Sequence, residues 1–138
     1  MKTPNVLRKL VRACVDDEKT LLHESHFVDA RRAAVLTRMA YEREELVADL
    51  EQLLEPAPRR PTGSWRELLR EARRTVWVWA AGPNNGDAIG ACRRSCARTG
   101  TTYDRAMQAP LSEETRRILT AHRRRLQDEI NALNLLQF

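Results

Sequence analysis

Glycine and proline are scarce in this 138-residue chain, with five and six respectively, and the aromatics amount to three tryptophans, two tyrosines and two phenylalanines. So few turn formers exclude a turn-rich β sandwich or barrel, and no extended run alternates β-branched with polar residues, so strands are not expected. Cysteine is also scarce. Three residues, an odd number with no C-x-x-C, exclude a disulfide framework and fit reduced thiols of a cytosolic protein. No apolar run approaches the roughly 20 residues of a spanning helix, and the opening MKTPNVLRKL has charge but no apolar core of a signal peptide. A soluble, cytoplasmic protein with no membrane association is the expectation. There is no G-x-S-x-G elbow and no glycine-rich phosphate loop, so nucleophilic catalysis and nucleotide binding by those devices have no support.

What the chain has is arginine. Lysine and arginine total 24 against 19 acids, a formal charge of +5, and lysine is a small minority of them. Basic clusters at Arg93, Arg94 and Arg98, and at Arg116, Arg117 and Arg123 to Arg125, would permit binding to nucleic acid or an acidic partner. They wind around their helices among acids, which is the pattern of a solvated face, so nucleic acid is not the favoured partner.

The long uninterrupted segments read as five helices, about 4–28, 30–55, 64–81, 87–108 and 112–136, in a single domain over 1–138. Thr3 with Pro4, Asp29, Asp87 and Ser112 are the expected N-terminal caps, and Ser64 with Glu67 forms a capping box. The stretch PAPRRPTG at 56–63 reads as a linker. In helix one the seam is Leu7, Val11, Cys14, Glu18, Leu21, Ser25 and Val28; in helix two it is Leu36, Met39, Arg43, Leu46, Leu50 and Leu53. Each carries a charge at mid-length. A hairpin folded at 29–32 sets Glu18 against Arg43, an internal ion pair that would fix helix register. The fourth seam is Ile89, Cys92, Cys96, Thr99, Tyr103 and Met107; the fifth is Ile118 or Leu119, His122, Leu126, Ile130 and Leu133. Reflection about Pro110 puts His122 opposite Thr99. Glu18, Arg43, Thr99 and His122 are therefore expected as one buried polar layer at mid-height.

Three sets of residues stand as candidates beside that layer. Arg66, Arg70, Arg73 and Trp77 lie on one flank of the third helix, off its apolar seam, and suit a contact surface for a second copy or a protein partner. His23 and His26, three apart, have the spacing to clasp a metal at the surface, and Cys92 and Cys96 lie one turn apart on one face, where small apolar packing is the simpler reading.

Two equal helix pairs joined by a longer crossover, with polar residues turned inward, resemble the ferritin-like superfamily. More narrowly, the chain resembles a family of small bacterial four-helix-bundle proteins of unknown function. Cys14 to Lys19, CVDDEK, is similar to a C-x-D-G-E pattern; Tyr41 to Leu50, YEREELVADL, is similar to A-E-R-x-x-[FL]; Gly63-Ser64 and Tyr103 to Met107 match in order and spacing. The resemblance implies an all-α, ferritin-like four-helix bundle of two antiparallel hairpins with a short additional crossover helix. It departs where the family tends to have C-E-R-G-E-D, since Cys92 to Ala97 reads CRRSCA, and where it tends to have His-Asp, since Gln127 and Asp128 stand there. A dimetal centre of that superfamily needs about four carboxylates and two histidines with Glu-x-x-His, a motif this chain lacks. The expected function is thus a non-enzymatic bundle with a degenerate metal site, an interaction or stress-associated structural protein that self-associates. The competing expectation is an iron or manganese site drawn from Glu18, Glu42, Glu45 and His122.

Overall fold

The computed structural model describes residues 3–54 and 85–136, and every regular element among them is helical. Helix α1 spans Thr3–Glu24, a 3-10 turn follows at Ser25–Phe27, α2 spans Ala30–Leu54, α3 spans Asn85–Ala106 and α4 spans Glu113–Leu136. The expected helix at 64–81, the linker 56–63, the Ser64–Glu67 capping box and the proposed contact face Arg66, Arg70, Arg73 and Trp77 lie outside the described residues.

Local chemistry sets the helix ends. At the close of α1 the Ser25 hydroxyl donates to the Leu22 carbonyl at 2.6 Å, and Val28 turns the backbone extended at φ −125°, ψ 167°. Asp29 then caps α2 as expected: its Oδ1 accepts the Arg32 N–H at 2.9 Å. The Arg32 side chain pairs with the same carboxylate at 2.5 Å and donates to the Leu136 carbonyl at 2.8 Å, tying the end of α4 to the first turn of α2. Ser112 caps α4 through its Oγ, which accepts from Thr115 N–H at 3.1 Å. At that end of the bundle Arg116 covers the terminal carbonyls after α3, donating to Met107 at 2.6 Å and Ala109 at 3.1 Å. Two expected caps are displaced: Thr3 is itself the first residue of α1, and α3 begins at Asn85, so Asp87 sits inside its first turn, where the positive end of the helix dipole favours a carboxylate.

Helices α1 and α2 form one antiparallel hairpin, α3 and α4 the other, and the hairpins meet along α1–α3 and α2–α4. The core has two apolar ends. At one, Leu7, Leu10, Leu46, Leu50 and Leu119 pack together; at the other, Leu21, Leu36, Ile89, Cys92 and Leu133 do. These assignments give the chain direction of every helix. Helix α2 finishes at the first end, whereas α3 begins at the second, so the hairpins are not joined as a simple up-and-down bundle. Each fully buried leucine contributes about 1.5–3 kcal/mol. Between the two apolar ends lies a polar layer.

Candidate functional site: a buried ionic layer and a hydrogen-bonded file

Arg43 is the largest fully buried side chain in the described residues, with 0% exposure. The spacing of α2 delivers it to the interior in line with Met39, Leu46 and Leu50. An isolated guanidinium there would cost several kcal/mol, and the fold surrounds it with acceptors. Its Nε donates to Asp17 Oδ2 at 2.6 Å, its Nη2 donates to Cys96 Sγ at 3.3 Å, and its Nη1 lies against Glu129. The second Asp17 oxygen accepts from the Ser95 hydroxyl at 2.6 Å and from the Cys96 thiol at 3.6 Å. Three helices besides its own therefore close on one cation. Burial alone would pull the Arg43 pKa down; Asp17 and then Glu129 reverse that and hold it above the ordinary value, so the charge is permanent.

One guanidinium does not ionise both of its neighbours. Burial, then the adjacent Glu42 carboxyl, push Glu129 up to about 8 against the pull of Arg43. At neutral pH the layer is consequently a fixed Asp17–Arg43 ion pair beside a mostly protonated Glu129. Burial also pushes the thiols up, Cys14 and Cys92 to about 12 and Cys96 further, so all three stay protonated. Cys92 packs in the second apolar end, which is the small apolar reading, whereas Cys96 accepts from Arg43 and donates to Asp17 and so belongs to the polar layer.

A second polar group lies alongside, toward the first apolar end. His122 Nε2 is 2.9 Å from Asp49 Oδ2, its Nδ1 is 2.8 Å from the Tyr103 hydroxyl, and that hydroxyl is 3.6 Å from Cys14 Sγ. The donor directions follow from the one group that has no proton to give. The Asp49 carboxylate accepts, which assigns the imidazole proton to Nε2; Nδ1 then accepts from Tyr103, whose oxygen accepts from the Cys14 thiol. The result is a hydrogen-bonded file from the buried thiol to a carboxylate 53% exposed at the surface. Burial lowers the His122 pKa from 6.5, against the raising effect of Asp49. An NMR titration of the imidazole should show a midpoint below 6.5, and Asp49→Asn should lower it further, because the opposing carboxylate is removed. A midpoint above 6.5 would contradict the buried placement. Since the folded state favours the neutral ring, this residue's contribution to stability declines as pH falls below 6.5.

All four residues of the expected layer are buried: Glu18 and Arg43 at 0%, Thr99 at 3% and His122 at 4%. Sequence reasoning assigned Glu18 to Arg43 and missed Asp17 and Glu129, which the structure places on the guanidinium. Glu129 was concealed by the choice of Ile130 for the seam; the run Leu119, His122, Leu126, Glu129, Leu133 keeps a regular three-four spacing and would have found it. The pairing of His122 with Thr99 is corrected. His122 meets Tyr103, one turn further along α3, and the Thr99 hydroxyl bonds its own helix at the Ser95 carbonyl, 3.2 Å. The connection 107–112 is centred near Pro110, but the side chains pair in a register about one turn away from simple reflection, as the Arg123–Asp104 pair at 2.9 Å also shows.

The residues present suit a divalent cation poorly. A guanidinium sits among the buried carboxylates, and both ring nitrogens of His122 are engaged. Of the competing ligand set, Glu45 is 68% exposed and pairs with Arg125 at 3.3 Å, and Glu42 lies 3.9 Å from Arg38. His23 is 61% exposed and lies 3.7 Å from Glu24, stacked near Phe27 rather than paired with His26. Among the described residues no group of three or more His, Cys, Asp or Glu is arranged to hold a metal. Several arginines of the basic clusters are engaged by the fold itself: Arg93 with Asn134 at 3.1 Å, Arg116 with carbonyls, Arg123 with Asp104 and Arg125 with Glu45. No helix among the described residues is long and apolar enough to cross a membrane. Comparison with protein-family models, with curated proteins and with solved structures gives no match to this chain.

Proposed function

We propose that this chain is a non-enzymatic bundle, ferritin-like in its helix order, whose centre is filled by its own cation, and that it serves as an interaction or stress-associated structural protein, self-associating or docking a protein partner. The observation that carries the reading is Arg43: a fully buried guanidinium bonded to Asp17 and Cys96 and set against Glu129, at mid-height between two apolar ends. A cation covalently part of the chain supplies charge balance to carboxylates that a metal would otherwise neutralise, and it leaves no open coordination position for oxygen or substrate. The opposite-end placement of the α2 terminus and the α3 start supports the ferritin-like order. In this reading the layer fixes register, and function resides on the outer faces.

Metal analysis of the protein purified without chelator tests the central element. The expected result is less than about one-tenth of an equivalent of iron or manganese; about two tightly bound ions per chain would reverse the reading in favour of a carboxylate and histidine metal site. Sedimentation equilibrium tests self-association, with a dimer expected and a strict monomer counting against the second-copy partner.

A further inference from the structure

A groove of about 540 Å³ runs between α1 and α3 toward the end of the bundle where α3 finishes. Its size falls within the range of small-molecule sites. The floor is formed by small or short side chains, Val6, Ala13, Ala106 and Ala109, and the space exists because alanine stands where a longer residue would fill it. Lys9, Arg12 and Arg105 rim it, against a single acid, Asp16. Some surface arginines, Arg32, Arg123 and Arg125 among them, are neutralised by Asp29, Asp104 and Glu45, and others are not. Lys9, Arg12 and Arg105 have no ion pair and no side-chain hydrogen bond among the described residues. Three cations without an ion pair, with one acid among them, give the groove a net positive rim above an apolar floor.

From this the geometry points to a binding site for a small amphipathic anion: a phosphate or carboxylate head held by Lys9, Arg12 and Arg105, with a short apolar body lying on Val6, Ala13, Ala106 and Ala109. The cations approach from both helices, so the head is gripped across the groove, and the Gln108 amide offers a donor beside it. A free inorganic anion leaves the floor wet, and a neutral alkyl chain leaves the cations unmet. Only a ligand with both parts uses the whole site.

The test is calorimetric titration of the full chain at low ionic strength with octyl phosphate below its micellar concentration, octanol, inorganic phosphate and a short single-stranded oligonucleotide. Octyl phosphate is expected to bind saturably, one per chain, at least about tenfold more tightly than octanol or inorganic phosphate. The double variant R12Q/R105Q changes two surface side chains and should weaken octyl phosphate about tenfold. Ala13→Leu, which fills the floor without altering charge, should weaken it similarly while circular dichroism shows the helices intact. Absence of saturable octyl phosphate binding overturns the proposal, as does octanol binding as tightly, or affinity unchanged in either variant. An oligonucleotide that binds more tightly and is lost in R12Q/R105Q but not in Ala13→Leu would assign the cations to a nucleic-acid surface instead, and the proposal would fail.

Discussion

Replacing Arg43 with methionine is expected to destabilise the protein by about 3–5 kcal/mol, because it leaves the Asp17 carboxylate charged and buried with only Ser95 and Cys96 as donors. Methionine approximates the length of the arginine stem, so the loss is mainly electrostatic and not a cavity. The decisive comparison is the double variant D17N/R43M. Asparagine keeps the shape and an oxygen for the Ser95 hydroxyl while removing the charge, so much of the lost stability should return, with a coupling energy of about 1–3 kcal/mol. Urea denaturation gives both quantities, provided the slope of free energy on denaturant stays constant. A single variant with the parental midpoint would show that the layer is not dry, and the proposal of a sealed centre would fall with it.

Stability should also fall as the solution is made more alkaline between pH 4.5 and 8, on account of Glu129. In the folded protein this carboxyl is held to about 8 from an ordinary 4.5. Over that interval the folded state binds more protons than the unfolded chain, so the slope of unfolding free energy with pH is negative. The contribution is complete below pH 4.5 and is lost as pH rises toward 8, on the order of 4 kcal/mol in total. His122 acts with the opposite sign but only below 6.5, where acid favours the unfolded chain. The clean window is therefore pH 6.5 to 8, where a decline of about 2 kcal/mol is expected from Glu129 alone. Glu129→Gln should flatten it and leave the variant more stable than the parent at pH 8. A parent curve that stays flat through that window would mean that Arg43 wins and Glu129 is ionised.

Some of this was legible from local sequence because local forces decide it. Asp29 and Ser112 were identifiable as caps, since a short side chain with an acceptor oxygen ahead of an apolar repeat has few other uses. Arg43 and Glu18 stood out because each interrupts a regular apolar seam, and both are buried without exposure. The register between helices was less legible. A shift of one turn in the α3–α4 hairpin costs little in local propensity, yet it exchanges Thr99 for Tyr103 as the partner of His122. Asp49 is more than half exposed and outside the seam of α2, so nothing in the sequence pattern connected it with a histidine 73 residues away.

The sequence by itself determined that this protein is helical, where most of its helices begin and end, and that charge is carried into the core of α1 and α2, because those properties depend on residues within a turn or two of each other. Tertiary structure alone decided which acid meets the buried arginine, that Glu129 comes from the last helix to join it, and that a thiol, a phenol and an imidazole line up toward solvent. The physical reason is that electrostatic and hydrogen-bond energies between helices change over an ångström or two, whereas a helical seam locates a side chain only to the nearest face.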